Sequence, residues 1–379
     1  MTHPQRADFV IIGGGIQGCS AAYFLASRGQ SVLLLEKDHI ARHASGVNAG
    51  GVRRLGRDLA EIPLSLVAME HWHQLESLIG ADAASAFHQS FYVKAALDED
   101  AAEAGRQRVA ALQDAGFSHE IWLDGDQLSR RLPPLGTAIH GGILVEGDGH
   151  AIPWRITRGF AAAAVAAGAV VQEQVALRQI SRHGEVWQLD TSAGLVEAGV
   201  VINCAGAWGG ALAGQLGEDI PLVAHAPMLA VTDAMPQFLP AVLGLINETL
   251  SLKQLATGQL VIGGGHRAEA RPQENHAGLD MLALSPCIAL ARRLFPQLAA
   301  LSVLRCWSGI EGYLPDHLPV IGRGSVSGII HGFGFSAHGF QLGPAVGEVL
   351  ADLAMQHQPR VQLEAFSPGR FARCQKTKA

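Results

Sequence analysis

The stretch "DFVIIGGGIQGCSAAYFLASRGQSVLLLEK", residues 8–37, sets the fold. Phe9 to Ile12 form a short apolar run of the kind that makes a buried strand, "GGGIQG" is a turn, and the residues after Gly18 carry apolar positions at helical spacing up to a stop at Gly29. "SVLLLE" then supplies a second, parallel strand. The glycines have separate roles. Gly13 makes the tight turn, Gly15 lets backbone approach a pyrophosphate, and Gly18 allows close packing of helix on strand. The helix N-terminus, with Ile16 and Gln17 in its first turn, faces the phosphates. Glu36 ends the second strand where it can accept hydrogen bonds from ribose hydroxyls, with Lys37 beside it, and a 2′-phosphate there would be repelled. NAD and FAD share this fingerprint, which by itself leaves both open.

The bulk properties narrow the field. A chain of 379 residues, 48% hydrophobic and 16% charged, buries a large core and reads as two domains. A net charge of −6 gives no field to attract nucleic acid. Cys19, Cys204, Cys287, Cys306 and Cys374 form no CxxC pair, so neither a zinc site nor a disulfide framework is expected and a reducing cytoplasm fits. With a strand expected from Asp8, no signal peptide is expected, and the longest apolar run, "FAAAAVAAGAVV" at 160–171, is too short to span a bilayer. The expectation is a cytoplasmic protein without a transmembrane segment, at most peripheral at the inner face of the membrane.

Four further blocks decide the cofactor: "RHASGVNAGGVRRLGRDLAEIPL", "GVVINCAGAWGGALAGQLG", "RCWSGIEGYLPDHLPVIG" and "GIIHGFGFSAHGFQLGPAVGEVLADL". In this order and spacing they resemble the D-amino acid oxidase family of FAD enzymes across nearly the whole chain. That family includes glycine and sarcosine oxidases and the flavin subunits of opine oxidase, hydrogen cyanide synthase and hydroxyproline dehydrogenase. The last, heteromeric group looks most similar, on "GIEGYLPD" together with "HGFGFSAHGFQLGP". The resemblance implies FAD, a glutathione reductase type Rossmann-like domain, and an interleaved β-rich α+β substrate domain. Residues 1–85, 146–220 and 305–379 are assigned to the first, and 86–145 and 221–304 to the second.

Each block also has a physical reading. Ser45, Gly46, Asn48, Gly50 and Gly51 form a polar cradle for phosphates and ribityl hydroxyls, and Ala205, Gly206 and Trp208 return the chain to the top of the sheet, leaving room for the pyrophosphate. The loop through Gly334, His338, Gly339, Phe340 and Gln341 runs into a helix, so its N–H groups and dipole can face an anion. By the resemblance, that anion is the pyrimidine edge of reduced flavin. Val175 and Gly309 complete the expected cofactor contacts.

For the substrate, the resemblance implies loss of a hydride from the carbon beside an amine nitrogen, giving an imine, with no obligatory acid–base pair. Glycine oxidase-like relatives clamp the substrate carboxylate with an arginine where this chain has Glu311. A carboxylate then needs another cation: Arg53 is the first candidate, Arg54 and Lys253 the others. Glu311 is expected to pair a structural arginine such as Arg305, or else a cationic substrate group. His338 is placed to stabilise the reduced anion, and Tyr313 and Tyr92 to line the pocket through their hydroxyls. "RHASG" resembles the "WHAAG" motif through which dimethylglycine dehydrogenase-like enzymes attach FAD, mapping that residue onto His43. Because the tryptophan is missing, non-covalent FAD is expected, with attachment at His43 as the alternative.

The resulting expectation is oxidation of the C–N bond of a small amino acid or secondary amine. The chain would serve as the substrate-oxidising subunit of a heteromeric dehydrogenase whose partners carry further redox centres. A self-sufficient, peroxide-forming oxidase and a flavin-binding scaffold without catalysis are the alternatives.

Overall fold

The computed structural model describes residues 4–371. Its first sheet is built around five parallel strands in the order Ile329–Phe333, Gly194–Asn203, Gln5–Ile12, Val32–Leu35 and Val170–Gln172. Strand Val320–Arg323 closes one edge in antiparallel sense, and a meander, Leu177–His183 and Val186–Thr191, leads into Gly194–Asn203. The quoted opening stretch supplies its centre, with strand Gln5–Ile12 beginning three residues before the expected start.

Alternation along the central strands explains why their residues are apolar without a break. Phe9, Ile11, Val32 and Leu34 point into a core shared with helices, whereas Val10, Ile12, Leu33 and Leu35 point into a second core with Trp187 and Leu189 of the meander. Both faces are covered, as a parallel sheet requires. On the helical face, Ile16–Ala26 packs against Gly339–Ala354 and Pro153–Ala166. Small residues make the first of these contacts close: a Cβ on Gly343 would lie 2.7 Å from the Ile16 side chain, and Ser20 Oγ donates to the Gly343 carbonyl at 2.8 Å.

The second sheet runs in the order Arg267–Ala268, Val223–Ala234, Gln259–Gly263, Ser251–Gln254, Val242–Leu245, Phe87–Ala96, Gly141–Ala151 and Gly51–Val52. Val303–Ser308 and Glu311–Tyr313 also pair with Val223–Ala234. Helix Met281–Leu294 covers it through Leu284, Cys287 and Ala291, and helix Glu99–Asp114 lies against Phe87–Ala96. Residues 51–52, 146–151, 305–308 and 311–313, taken from sequence as parts of the nucleotide-binding domain, pair in strands of the second sheet. Cys19, Cys204, Cys287 and Cys306 are free, and Cys374 lies outside the described residues. No described helix is long and apolar enough to cross a membrane.

Candidate active site

A cavity of about 610 Å³ extends from the C-terminal ends of the first sheet's strands to the underside of the second sheet. Its floor is the glycine turn. Gly13 adopts φ +114°, and a Cβ there would overlap the Cys204 carbonyl; a Cβ on Gly18 would overlap the Gly13 carbonyl. Gly15 faces the cavity, where a Cβ would meet Ser45 Oγ at 3.0 Å. Ser45 Oγ accepts the Ile16 N–H at 2.9 Å, drawing the cradle loop onto the helix N-terminus. Gln17 lines the cavity and donates through Nε2 to the Gly339 carbonyl at 2.8 Å.

At one end Glu36 is buried, its carboxylate accepting the N–H of Gly14 at 2.6 Å and of Asp38 at 2.8 Å. Burial pushes its pKa up against the pull of these two hydrogen bonds. Val175 fixes this end by donating its N–H to the Glu36 carbonyl at 2.9 Å. Lys37 stands 4.1 Å over the Trp208 ring and contacts Asn275 Oδ1 at 2.9 Å, while Trp208 Nε1 donates to the Pro272 carbonyl at 3.1 Å. His43 is 2.8 Å from Asp38 Oδ2 and packs on Trp208. Burial lowers its pKa, opposed by the Asp38 hydrogen bond.

Asn48, Gly51, Ala205, Gly206, Gly309 and Gly334 line the middle of the cavity. Gly309 is pressed on Val47, whose carbonyl accepts from Trp307 Nε1 at 2.8 Å, and Gly334 takes φ +75°. His338, Gly339 and Phe340 form the adjoining wall. Several residues expected at the cofactor act from behind this lining. Gly46 is packed on the Ala41 carbonyl, Gly50 on the Ala151 carbonyl, and the Ile16 side chain on Gly343. Gln341 is buried among Ser65, Arg57 and Trp72 rather than facing the cavity.

The loop wall contains a device that the sequence did not reveal. His338 Nδ1 lies 3.0 Å from Glu61 Oε2, and Glu61 is 3.8 Å from Arg57, with Arg57 2% and Glu61 0% exposed. Arg57 also donates to the carbonyls of Arg53 and His338 and to Gln341 Oε1. Burial lowers the Arg57 pKa to about 10. Burial raises the Glu61 pKa, but the His338 hydrogen bond and the charges of Arg57 and Arg53 outweigh it and hold the carboxyl below its usual range. Burial likewise lowers the His338 pKa, opposed by the Glu61 hydrogen bond, and the ring serves as a hydrogen-bonding partner of that carboxylate. The i,i+4 spacing of Arg57 and Glu61 was a readable signal, but their burial beneath residue 338 was not.

The cation candidates separate clearly. Arg53 lines the cavity and donates to the Leu55 carbonyl. Arg54 is engaged by buried Asp148, at 2.8 Å from Nε, and so belongs to the framework. Lys253 is buried outside the cavity lining, its Nζ 3.0 Å from where a Gly50 Cβ would stand. Lys94, missed in the sequence, lines the cavity beside Arg53: a Cβ on Gly56 would be 3.1 Å from Lys94 Nζ and 3.6 Å from an Arg53 guanidinium nitrogen. Burial, with help from Arg53 and Arg108, lowers the Lys94 pKa to about 8. The strand period that brings Tyr92 to the cavity also brings Lys94 there. Tyr92 OH lies 3.4 Å from Ser251 Oγ.

The expected pairing of Glu311 with Arg305 is corrected. Arg305 is exposed on strand Val303–Ser308, and Glu311 accepts instead from Tyr313 OH at 2.9 Å. Arg267, also missed, lies 4.0 Å over the Tyr313 ring.

A flavin dinucleotide fits this geometry. The glycine floor leaves open space over the helix N-terminus, Glu36 stands where a ribose would lie, and the cavity is continuous from there to the Gly334–Phe340 loop. Known proteins agree with that fit. The profile of the FAD dependent oxidoreductase (DAO) family matches residues 8–353. Glycine oxidase of Bacillus licheniformis is 25% identical, covering 97% of this chain and 98% of that protein. The B polypeptide of opine oxidase from Rhizobium meliloti is 26% identical over 83% and 84% of the two chains. The glycine oxidase structure from Geobacillus kaustophilus superposes with a TM-score of 0.88 at 22% identity, covering 97% of this chain and 99% of that one. The chain belongs to the DAO family of FAD-dependent oxidoreductases.

Proposed function

We propose that this enzyme oxidises the C–N bond of a small amino acid or secondary amine, as the substrate-oxidising subunit of a heteromeric dehydrogenase. The observation that carries the substrate class is the lining of the cavity, where Arg53, Lys94, Glu311 and Tyr313 share the space that the glycine cradle bounds. Such a chamber suits a molecule bearing a carboxylate and an amine. FAD, when bound, supplies the two-electron acceptor. The chain's residues do the rest. Arg53 and Lys94 hold the carboxylate, fixing the carbon that loses hydride, and the second sheet closes over the chamber and limits water. His338, braced by Glu61, steadies the loop at the anion-facing edge.

Similarity to one polypeptide of a multi-subunit opine oxidase supports the heteromeric role. Full-length similarity to glycine oxidase supports a second reading, a self-sufficient oxidase. One experiment tests both: anaerobic titration of the yellow protein with glycine, sarcosine, proline, hydroxyproline and an opine, followed by admission of air. Bleaching by an amine with slow reoxidation is expected. Rapid peroxide formation at about 10 per second favours the oxidase, and absence of bleaching by any amine overturns amine oxidation.

A further inference from the structure

Glu311 sits on strand Glu311–Tyr313 and lines the cavity, partly buried yet open to the space where a substrate would stand. Its carboxylate accepts the Tyr313 hydroxyl at 2.9 Å and a hydrogen bond from the Ala337 backbone. A carboxylate offers about four acceptor positions, so capacity remains on the cavity side. Among the described residues it forms no ion pair. Arg267, stacked 4.0 Å over the Tyr313 ring, acts on the carboxylate through its charge without forming an ion pair with it. A carboxylate partly removed from water without a cation in direct contact is costly unless something cationic arrives to complete it. The charged and titratable groups around it are Tyr313 on its own strand, His225 on the paired strand with its ring 5.2 Å from that of Tyr313, and Arg267 on the neighbouring strand. On the loop that supplies the Ala337 hydrogen bond stands His338, backed by Glu61, Arg57 and Arg53.

We infer that Glu311 receives the substrate's ammonium group and takes its proton before oxidation. This rests on the amine-oxidation reading above. An amine with a pKa near that of a lysine side chain, about 10, enters at pH 7 as an ammonium whose nitrogen has no free electron pair. One N–H bond breaks with its pair left on nitrogen, and an O–H bond forms on the Glu311 carboxylate, so charge and atoms balance. The freed pair then forms the C=N bond as hydride leaves the adjacent carbon toward the cofactor. Hydride loss itself needs no base; removal of the ammonium proton does. Burial raises the Glu311 pKa, opposed by the Tyr313 hydrogen bond, Arg267 and the Ala337 hydrogen bond. A carboxylate so placed holds a proton better than one in water.

The test is anaerobic stopped-flow reduction of the holoenzyme between pH 6 and 10, with rates read per bound flavin. The probe is whichever of glycine, sarcosine and proline bleaches the wild type fastest. Glu311→Gln keeps an acceptor for Tyr313 but cannot take a proton. Reduction by this variant should then depend on the small fraction of neutral amine, about one part in a thousand at pH 7 for an amine of pKa about 10. It should slow by 100- to 1,000-fold at pH 7, accelerate about tenfold per pH unit, and come within tenfold of wild type at pH 10. Tyr313→Phe should move the wild-type acid limb to higher pH, because it removes a hydrogen bond that favours the charged carboxylate. A separate equilibrium readout is perturbation of the flavin spectrum by tetramethylammonium, which should bind at least tenfold more weakly to Glu311→Gln. A loss that is equal at every pH, or an acid limb unmoved in Tyr313→Phe, overturns the proposal while leaving amine oxidation intact. If no amine bleaches the wild type, both fail together.

Discussion

Replacing Glu61 with glutamine removes the carboxylate that stands between two buried groups and changes little in shape. The Arg57 guanidinium is 3.8 Å from that carboxylate, a Coulomb attraction of about 4 kcal/mol at an effective dielectric of about 20. Part of this returns, because a neutral amide at this position would be cheaper to bury and Arg57 retains three neutral acceptors, in Arg53, His338 and Gln341. A net loss of about 3 kcal/mol in unfolding free energy is expected at pH 7, read from urea denaturation of the apoprotein. The pH dependence has a definite sign. The folded Glu61 pKa lies below its ordinary value of 4.5, so its contribution is full above that value and disappears as pH falls through the folded pKa. The folded His338 pKa lies below 6.5, and losing Glu61 lowers it further, so the variant loses more stability than wild type as pH falls from 6.5 toward 5. The difference between the two proteins should widen slightly over that interval and then narrow below pH 4.5. A loss under 1 kcal/mol at pH 7, or a difference that stays constant from pH 7 to 4, would refute the idea that this carboxylate compensates Arg57 and His338.

Gly15→Leu should leave the apoprotein folded and abolish flavin retention on gel filtration, since the new side chain enters the cavity over the helix N-terminus; a yellow variant contradicts the assigned floor. Lys94→Met should weaken a carboxylate inhibitor such as acetate by about tenfold at pH 7, equivalent to about 1.4 kcal/mol, and abolish the wild-type weakening expected as pH rises through about 8; an unchanged titration removes Lys94 from the carboxylate site. Acid precipitation should leave all flavin in the supernatant, whereas flavin retained in the wild-type pellet but not in that of His43→Ala would establish a covalent link.

The nucleotide-binding unit was legible because its signals are local. The positions that demand glycine lie within six residues of one another, and the apolar alternation of Phe9 to Ile12 and Val32 to Leu35 directly encodes a sheet covered on both faces. The site walls were less legible because their partners are far apart in the chain. His338 meets Glu61 across 277 positions, and nothing near either residue announces the other. Glu311 stood out as a departure from an arginine, but its partner followed from strand geometry: Tyr313, two residues on, reaches the carboxylate, whereas Arg305 lies exposed. Lys94 carried no signal of its own, and joins the site only because the Tyr92 face of its strand is the cavity face. Strands Gly141–Ala151 and Val303–Ser308 run across the borders expected at 146 and 305, because strands follow hydrogen-bonding partners and not the limits of a motif.

The close contact of the first helix with the last long one has a consequence for synthesis of the chain. Gln17 and Ser20 find their carbonyl acceptors at Gly339 and Gly343, more than 320 residues later. At a ribosomal rate of about 5–20 residues per second, those acceptors emerge roughly 16–65 seconds after the helix does. During that interval the helix has Pro153–Ala166 against one side, once that segment has appeared, and no permanent cover on the other. Nascent chains stopped short of residue 339 should expose this apolar flank and engage holding chaperones. The dinucleotide floor is made first, but one of its walls arrives among the last parts of the chain, so cofactor capture belongs to the end of biogenesis.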